Sequence, residues 1–394
     1  MGLERNMSRL LAMILFLLVF FLLYGGVHYY AYHKIRLALY LTMGQTAGLI
    51  LLLLLMLLAP IIVRFAERSG FEALACFFSW LGYLWMGVLF LFFAASLCLD
   101  VYRLTLSAAA YALQRDFSPL LPSPLLALIL PLVCSLGIAA YATIEAMNIR
   151  TERIVLASPK IPAADGRIRL VQISDVHLGL IIGEKRLRGI VAAIGQEKPD
   201  ILLSTGDLVD GQIDNLRKLE TVLREVTPRY GKYAVTGNHE FYAGLPQALA
   251  FLRASGFTVL RGEGVTVAGL VNIAGVDDPA GRNFGLDAPV AERDLLAGLP
   301  REHFTVLLKH QPILRQESLG AFDLQLSGHT HRGQIFPFSL ITRLFFFYHS
   351  GFFRLPGQGA LYVSRGTGTW GPPMRFLAPP EITVIDLVPP GKGT

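Results

Sequence analysis

Cysteine and charge are both scarce in this 394-residue chain: there are three cysteines, none after Cys134, and only 16% of residues are Asp, Glu, Lys or Arg. The first scarcity excludes a disulfide-stapled scaffold. Cys76, Cys98 and Cys134 all sit inside apolar runs and read as small buried apolar residues, which leaves the redox compartment open. The second scarcity is uneven. Residues 1–150 carry 15 charged side chains and the other 244 carry 49, so charge density doubles from 10% to 20%, against about 25% in an average soluble domain. A uniform soluble fold is thereby excluded and, with 53% apolar residues, so is a disordered chain. A dense basic block is missing too. The net charge of +6 divides into +3 before and +3 after residue 150, which argues against nucleic acid as a partner.

What the first 150 residues do have is length without charge. Uncharged runs cover 10–27, 37–63, 73–99 and 125–144, each long enough to cross about 30 Å of hydrocarbon at roughly 1.5 Å per helical residue. Arg5 and Arg9 ahead of the first run imitate a signal peptide, but the run is too long and no A-x-A site follows, so it reads as a retained helix. Residues 104–114 are too few to span and lie between Arg103 and Arg115, which predicts a separate interfacial helix. Acidic residues are missing from all four runs and Gln45 is their only amide, so an ion path is not indicated. Residues 1–150 therefore read as an α-helical anchor of four transmembrane helices. Arg5, Arg9, Arg64, Arg68, Arg150 and Arg153 outnumber Lys34, Arg36, Arg103 and Arg115, which predicts a multi-pass protein of the inner cell membrane with its C-terminal part on the cytoplasmic side.

From residue 167 the pattern changes to short β-rich runs, each ending in a Gly, Asp or His cluster and most followed by helical spacing. Strands are expected at 167–173, 201–203, 232–235, 305–308 and 322–326, and helices at 184–196, 214–225 and 246–254. That order predicts an α/β domain over 151–394, with 146–166 as a tether or an edge strand. In such folds ligands bind where loops leave the carboxyl ends of strands. Seven residues of metal-ligand type occupy those loops: Asp175 and His177 in SDVHLG, Asp207 in GDLVDG, Asn238 in GNHE, His310 in LKHQP, and His329 and His331 in GHTH. Alternation along an extended segment lets D-x-H and H-x-H each present two groups to one side. Imidazoles and carboxylates without thiolate suit Mn, Fe or Zn in an open catalytic site, not a closed structural zinc. Seven ligands exceed one ion's needs. Two divalent ions sharing Asp207, about 3.5–4 Å apart, hold a hydroxide between them for in-line attack on a phosphoryl group.

D-x-H, G-D-x-x-D, G-N-H-E, an isolated His and G-H-x-H, in this order, resemble the calcineurin-like metallophosphoesterase family over about residues 167–388. The resemblance implies a pair of facing β-sheets flanked by helices. It implies one metal held by Asp175, His177, Asp207 and His331, and a second by Asp207, Asn238, His310 and His329. It makes His239 the catalytic group that protonates the leaving oxygen, with Asp210 as its carboxylate partner, and gives Glu240 no ligand role. SGHTHRGQ and LYVSRGTGTWGPPMRF resemble a bacterial membrane-associated branch that usually has glycine in place of Arg332. An added guanidinium there either binds a substrate phosphate bidentately or points to solvent.

Residues 336–353, FPFSLITRLFFFYHSGFF, pack seven Phe and one Tyr between cations, as suits an interfacial lip that dips into lipid headgroups. The expected activity is therefore binuclear-metal-dependent hydrolysis of a phosphodiester or pyrophosphate at a membrane. Its expected partner is a membrane lipid or lipid-linked phosphate ester, a UDP-diacylglucosamine-like molecule being one that relatives suggest. The competing expectations are a non-catalytic membrane binding or signalling module that keeps the fold, and a phosphomonoesterase or nuclease.

Overall fold

The structure is a computed structural model that describes residues 2–163, 166–211, 217–286 and 290–391. The chain divides into two compact units, Met1–Thr143 and Ile144–Thr394.

The first unit is helical. Its elements are α1 (Gly2–Ala38), α2 (Met43–Arg68), α3 (Glu72–Leu113) and most of α4 (Pro124–Met147). Thr42 starts α2 with a reciprocal cap, its hydroxyl accepting from Gln45 N–H while the Gln45 side chain accepts from Thr42 N–H. Polar side chains meet between α1 and α3. Asp100 of α3 accepts from Tyr30 at 2.5 Å and pairs with Lys34, both on α1, and Trp85 Nε1–H donates to His28 Nε2 at 3.0 Å. Among the described residues three stretches are long and apolar enough to cross a membrane: Met43–Arg68, Glu72–Leu113 and Ser118–Met147. Among the described residues the count is therefore three, against the four spans expected. The first expected run, 10–27, lies in α1, but the side chains of residues 10–13 and 16 fall outside the described residues. The interfacial helix expected at 104–114 is also corrected. Those residues continue α3, because no Gly or Pro interrupts the chain between Gly87 and Leu113 and good helix formers fill the interval.

The second unit is built on two six-stranded sheets. In chain order its elements are β1 (Arg150–Ala157), β2 (Ile168–Ile173), α5 (Glu184–Gln196), β3 (Ile201–Ser204), α6 (Arg217–Arg224), β4 (Lys232–Ala234), α7 (Asn238–Tyr242), α8 (Leu245–Ala254), β5 (Thr258–Val259), β6 (Glu263–Val267), β7 (Val271–Gly275), α9 (Glu292–Ala297), β8 (Phe304–Leu308), β9 (Leu324–Ser327), α10 (Phe338–Phe345), β10 (Gly351–Arg354), β11 (Ala360–Val363) and β12 (Glu381–Val388). The first sheet runs β1-β12-β2-β3-β4-β5 and the second β10-β11-β9-β8-β7-β6. The expected helix 214–225 is described from Arg217 only, since 214–216 lie outside the described residues. The stretch 146–166 supplies an edge strand, β1, parallel to β12.

Period-two alternation sends each central strand into two cores. Leu170, Leu203, Ile273, Val306, Leu308 and Ile385 meet between the sheets. Val171, Ile173, Leu202 and Val384 face the other way, onto Leu187, Ile190 and Ile194 of α5 and Leu249 and Leu252 of α8. Strands β2 to β5 are parallel, as are β7, β8 and β9. The carboxyl ends of β2, β3 and β4 therefore release SDVH, GD and GNHE at one edge of the first sheet. Those of β8 and β9 release KH and GHTH from the second.

Candidate metal centre

The side chains at these strand ends converge, but not by the alternation that the spacing suggested. Asp175 and His177 both sit at positive φ (53° and 54°), as do Asp207 (53°), His329 (71°) and His331 (47°). Each left-handed non-glycine residue costs about 1–2 kcal/mol. Five such residues in one cluster is strain concentrated where groups must be aimed. The D-x-H and H-x-H pairs thus turn inward through left-handed backbone instead of pointing along one side of a strand. Close packing is enforced behind them by Gly237, where a Cβ would run into the Asp207 carboxylate, and by Gly328, where it would run into Ser174 and Asp175.

Two groups result. In one, His177 Nε2 and His331 Nε2 face each other at 3.1 Å, with Asp175 Oδ1 at 3.2 Å from His331 Nε2. In the other, His310 Nε2 lies 3.2 Å from Asp207 Oδ2 and 3.2 Å from His329 Nδ1. The same Asp207 oxygen lies 3.8 Å from His177 Nε2, so this carboxylate stands between the groups. Asn238 Oδ1 is buried and, among the described residues, has no hydrogen-bond partner. These atoms fit a pair of cations on a structural observation. His310 commits its Nδ1 proton to Thr205 O at 2.8 Å, which leaves an Nε2 lone pair aimed at a carboxylate oxygen. Lone pairs converge in this way only around a cation or an added proton. The pKa directions express the same fact. Burial disfavours charge on His310, yet Asp207 and Asp175 push its pKa well above normal. Burial works against the Asp207 and Asp175 carboxylates as well, yet the neighbouring imidazoles hold both well below the usual carboxylate range.

A third group joins His177, Asp210 and His239. Asp210 Oδ1 is 2.9 Å from His239 Nδ1 but 3.6 Å from His177 Nδ1, so its hydrogen bond goes to His239. His239 N–H donates to Asp207 Oδ1 at 2.8 Å. Against burial, the charge of Asp207 and the bond to Asp210 raise the His239 imidazole to about 9.

Three residues that the motifs did not single out as functional support the centre. The buried Glu240 carboxylate accepts from the backbone N–H groups of Gly237, Asp207, Leu208 and Val209, at 2.6 to 3.3 Å, which ties the GNHE turn to the GDLV turn. Arg375, fully buried, donates to the carbonyls of Gly368, His331 and Arg365, and its Nη2 stands 3.1 Å from His331 Nδ1. Asp278, buried beside the His310 group, has one oxygen that finds no hydrogen-bond partner among the described residues. A lone arginine amid apolar residues and prolines in GPPMRFLAPP was the one signal available for Arg375. Arg332 is half-buried at φ 53°, and among the described residues its guanidinium has no hydrogen bond or ion pair. The mouth of the centre is aromatic. Tyr242 and Trp370, both more than half exposed, lie 5.3 and 6.0 Å from the His239 ring, and Phe346 lies 5.1 Å from that of His329.

A profile of the calcineurin-like phosphoesterase family matches residues 168–333. An uncharacterized metallophosphoesterase of Aquifex aeolicus is 41% identical over 257 residues, 65% of this chain and 97% of that protein. One from Helicobacter pylori is 37% identical over 60% of this chain and 66% of its own length. A Danio rerio transmembrane protein with metallophosphoesterase domain is 32% identical over 66% and 62% respectively. The chain thus spans slightly under two thirds of the last two. With nearly the whole Aquifex protein matched and the motif loops converging on two groups of ligand atoms, this chain belongs to the calcineurin-like metallophosphoesterase family.

Proposed function

We propose that the chain is a membrane-anchored, divalent-metal-dependent phosphohydrolase that cleaves a phosphodiester or pyrophosphate. The observation that carries this reading is the pair of ligand groups with the Asp207 carboxylate between them. Asp175, His177, Asp207 and His331 would hold one ion, and Asp207, Asn238, His310 and His329 the other. The donor set, imidazole and carboxyl or amide oxygen without thiolate, fits Mn, Fe or Zn. When bound, the two ions supply water activation and neutralisation of phosphoryl charge.

The protein's own groups do the rest. Asp210 holds His239 through Nδ1, which fixes the ring and leaves Nε2–H to protonate the leaving oxygen. The raised pKa keeps that proton in place at neutral pH. Glu240 keeps the two ligand-bearing turns at one separation. The unpaired Arg332 is the candidate for bidentate contact with a substrate phosphate.

Three helices able to cross a membrane, together with a relative named as a transmembrane protein, support a multi-pass anchor. Cation distribution supports a cytoplasmic face of the inner membrane for the second unit. The rim of Tyr242, Trp370 and Phe346 supports a substrate with an apolar part, hence a lipid-linked phosphate ester. A UDP-diacylglucosamine-like molecule is one member of that class.

The test is hydrolysis by detergent-purified protein, stripped by chelator and reloaded with Mn2+. Wild type is expected to cleave an aryl phosphodiester or phosphomonoester, and Asp207→Ala to lose bound metal and about 10³-fold or more in rate. If the metal-loaded wild type cleaved neither ester and Asp207→Ala changed nothing, the non-catalytic module would be the better reading. A parallel screen of lipid-linked diphosphates against soluble nucleotides tests the substrate class.

A further inference from the structure

Among the described residues of the second unit, exposed large apolar side chains are most concentrated in one segment. Helix α10 has no buried residue. Leu344 is 83% exposed, Phe345 77% and Phe347 87%, and Phe338, Leu340 and Ile341 are each more than 40% exposed. A contiguous apolar surface of this kind on a soluble domain marks an interaction site. The segment is braced instead of hanging free. Thr342 Oγ1 lies 2.6 Å from the ring Nε2 of the buried His349, Thr330 of the GHTH turn donates to His349 O at 2.6 Å, and Phe346 packs on His329. Cations flank the apolar residues. Arg343 on α10 and Arg354 on β10 are exposed, and among the described residues neither has a carboxylate partner.

The geometry points to α10 as an amphiphilic wedge that inserts into an anionic lipid surface, with Arg343 and Arg354 at headgroup phosphates, so that the aromatic mouth beside His329 opens at the bilayer. The occupant is argued from chain connectivity and charge. Helix α4 ends at Met147 and β1 begins at Arg150, leaving two residues between a stretch able to cross a membrane and the first strand of the second unit. They reach about 11 Å at most. A domain tied that closely meets a bilayer before any other partner, and exposed arginines beside exposed aromatics match the headgroup boundary. The inference rests on the membrane anchoring proposed above but not on hydrolysis.

None of the three cysteines forms a disulfide, so a cysteine-free full-length chain is accessible by changing them to serine. Phe345→Cys on α10 and, as reference, the exposed Arg253→Cys on α8 are labelled with an environment-sensitive fluorophore. Each protein is placed in nanodiscs of phosphatidylcholine with about 30% phosphatidylglycerol and a doxyl-lipid quencher. The expected result is a shift to shorter wavelength and quenching at position 345, with neither at 253. Arg343→Glu combined with Arg354→Glu should reduce the quenching, as should omission of phosphatidylglycerol. A water-like, unquenched label at 345 overturns the proposal. So does a shifted but unquenched one, which would mean that protein, either the anchor or a second copy, covers the helix. Equal quenching at both positions overturns it too. The readout needs no turnover, so an inactive but quenched protein would sink the hydrolase reading and leave this one standing.

Discussion

The two ligand groups look alike from the cation's side and differ behind it. In the group of Asp207, His310 and His329, the far nitrogen of His310 donates to a backbone carbonyl. That bond fixes one tautomer and strengthens Nε2 as a donor. In the group of Asp175, His177 and His331, the far nitrogen of His331 faces the Arg375 guanidinium. Burial, Arg375 and His177 drive the His331 imidazole down to about 4, whereas His310 is driven up. The residue types alone are symmetric, two histidines and an aspartate on each side. What separates His310 from His331 is whether the chain offers an acceptor or a cation to the nitrogen that faces away from the ligand group.

The sharpest test of this division concerns the third group, which adjoins both. His239→Ala is expected to leave both ligand groups loaded while turnover falls roughly 10²–10⁴-fold, the usual loss of a general acid. Metal content measured alongside initial rate checks it. Metal and rate falling together would mean that His239 belongs with the ligands, and the division into two binding groups and one proton site would fail.

The candidate ligand types were legible in the sequence because chelation restricts chemistry to few residues, and Asp175, His177, Asp207, Asn238, His310, His329 and His331 stand in loops that follow strands. The positions of β2, β3 and β4 were legible too, since each is a short β-rich run that stops at a polar loop. The asymmetry was not legible. Arg375 lies 44 positions from His331, and Glu240 acts through backbone N–H groups that carry no side-chain signature. Aim was not legible either. D-x-H fixes spacing, whereas the left-handed turns at Asp175 and His177 depend on packing against the GD and GH loops. In the first unit, Arg103 suggested a break that α3 does not have, because one charge within a run of helix formers does not end a helix.

A second prediction concerns the shared carboxylate and is expected to be smaller. In metal-free protein the folded His239 pKa of about 9 exceeds the ordinary 6.5. The protonated ring therefore stabilises the fold fully below about pH 6.5, and this contribution is lost as pH rises through 9, with a total of roughly 3 kcal/mol. Unfolding free energies of wild type and His239→Gln should differ in slope over that window. Loading with Mn2+ should flatten the difference, because the Asp207 charge that raises His239 is then shared with cations. An undiminished slope after loading would mean that Asp207 is not the shared ligand.

The smallest effect tests the asymmetry itself. A guanidinium beside His331 Nδ1 opposes the proton that this nitrogen carries once Nε2 binds a cation, so the Asp175 group should release its ion first as chelator is added. Arg375→Gln keeps donors for the carbonyls of Gly368 and His331 but removes the charge. It should tighten that first-released ion by about tenfold, within the range seen when groups behind metal ligands are changed. It should also lower thermal stability, because a fully buried side chain loses part of its hydrogen bonding. Stepwise metal release followed by metal analysis separates the two effects, since a purely structural Arg375 would weaken both ions alike. If both ions leave wild type in a single step, the difference behind the ligands does not reach the metals.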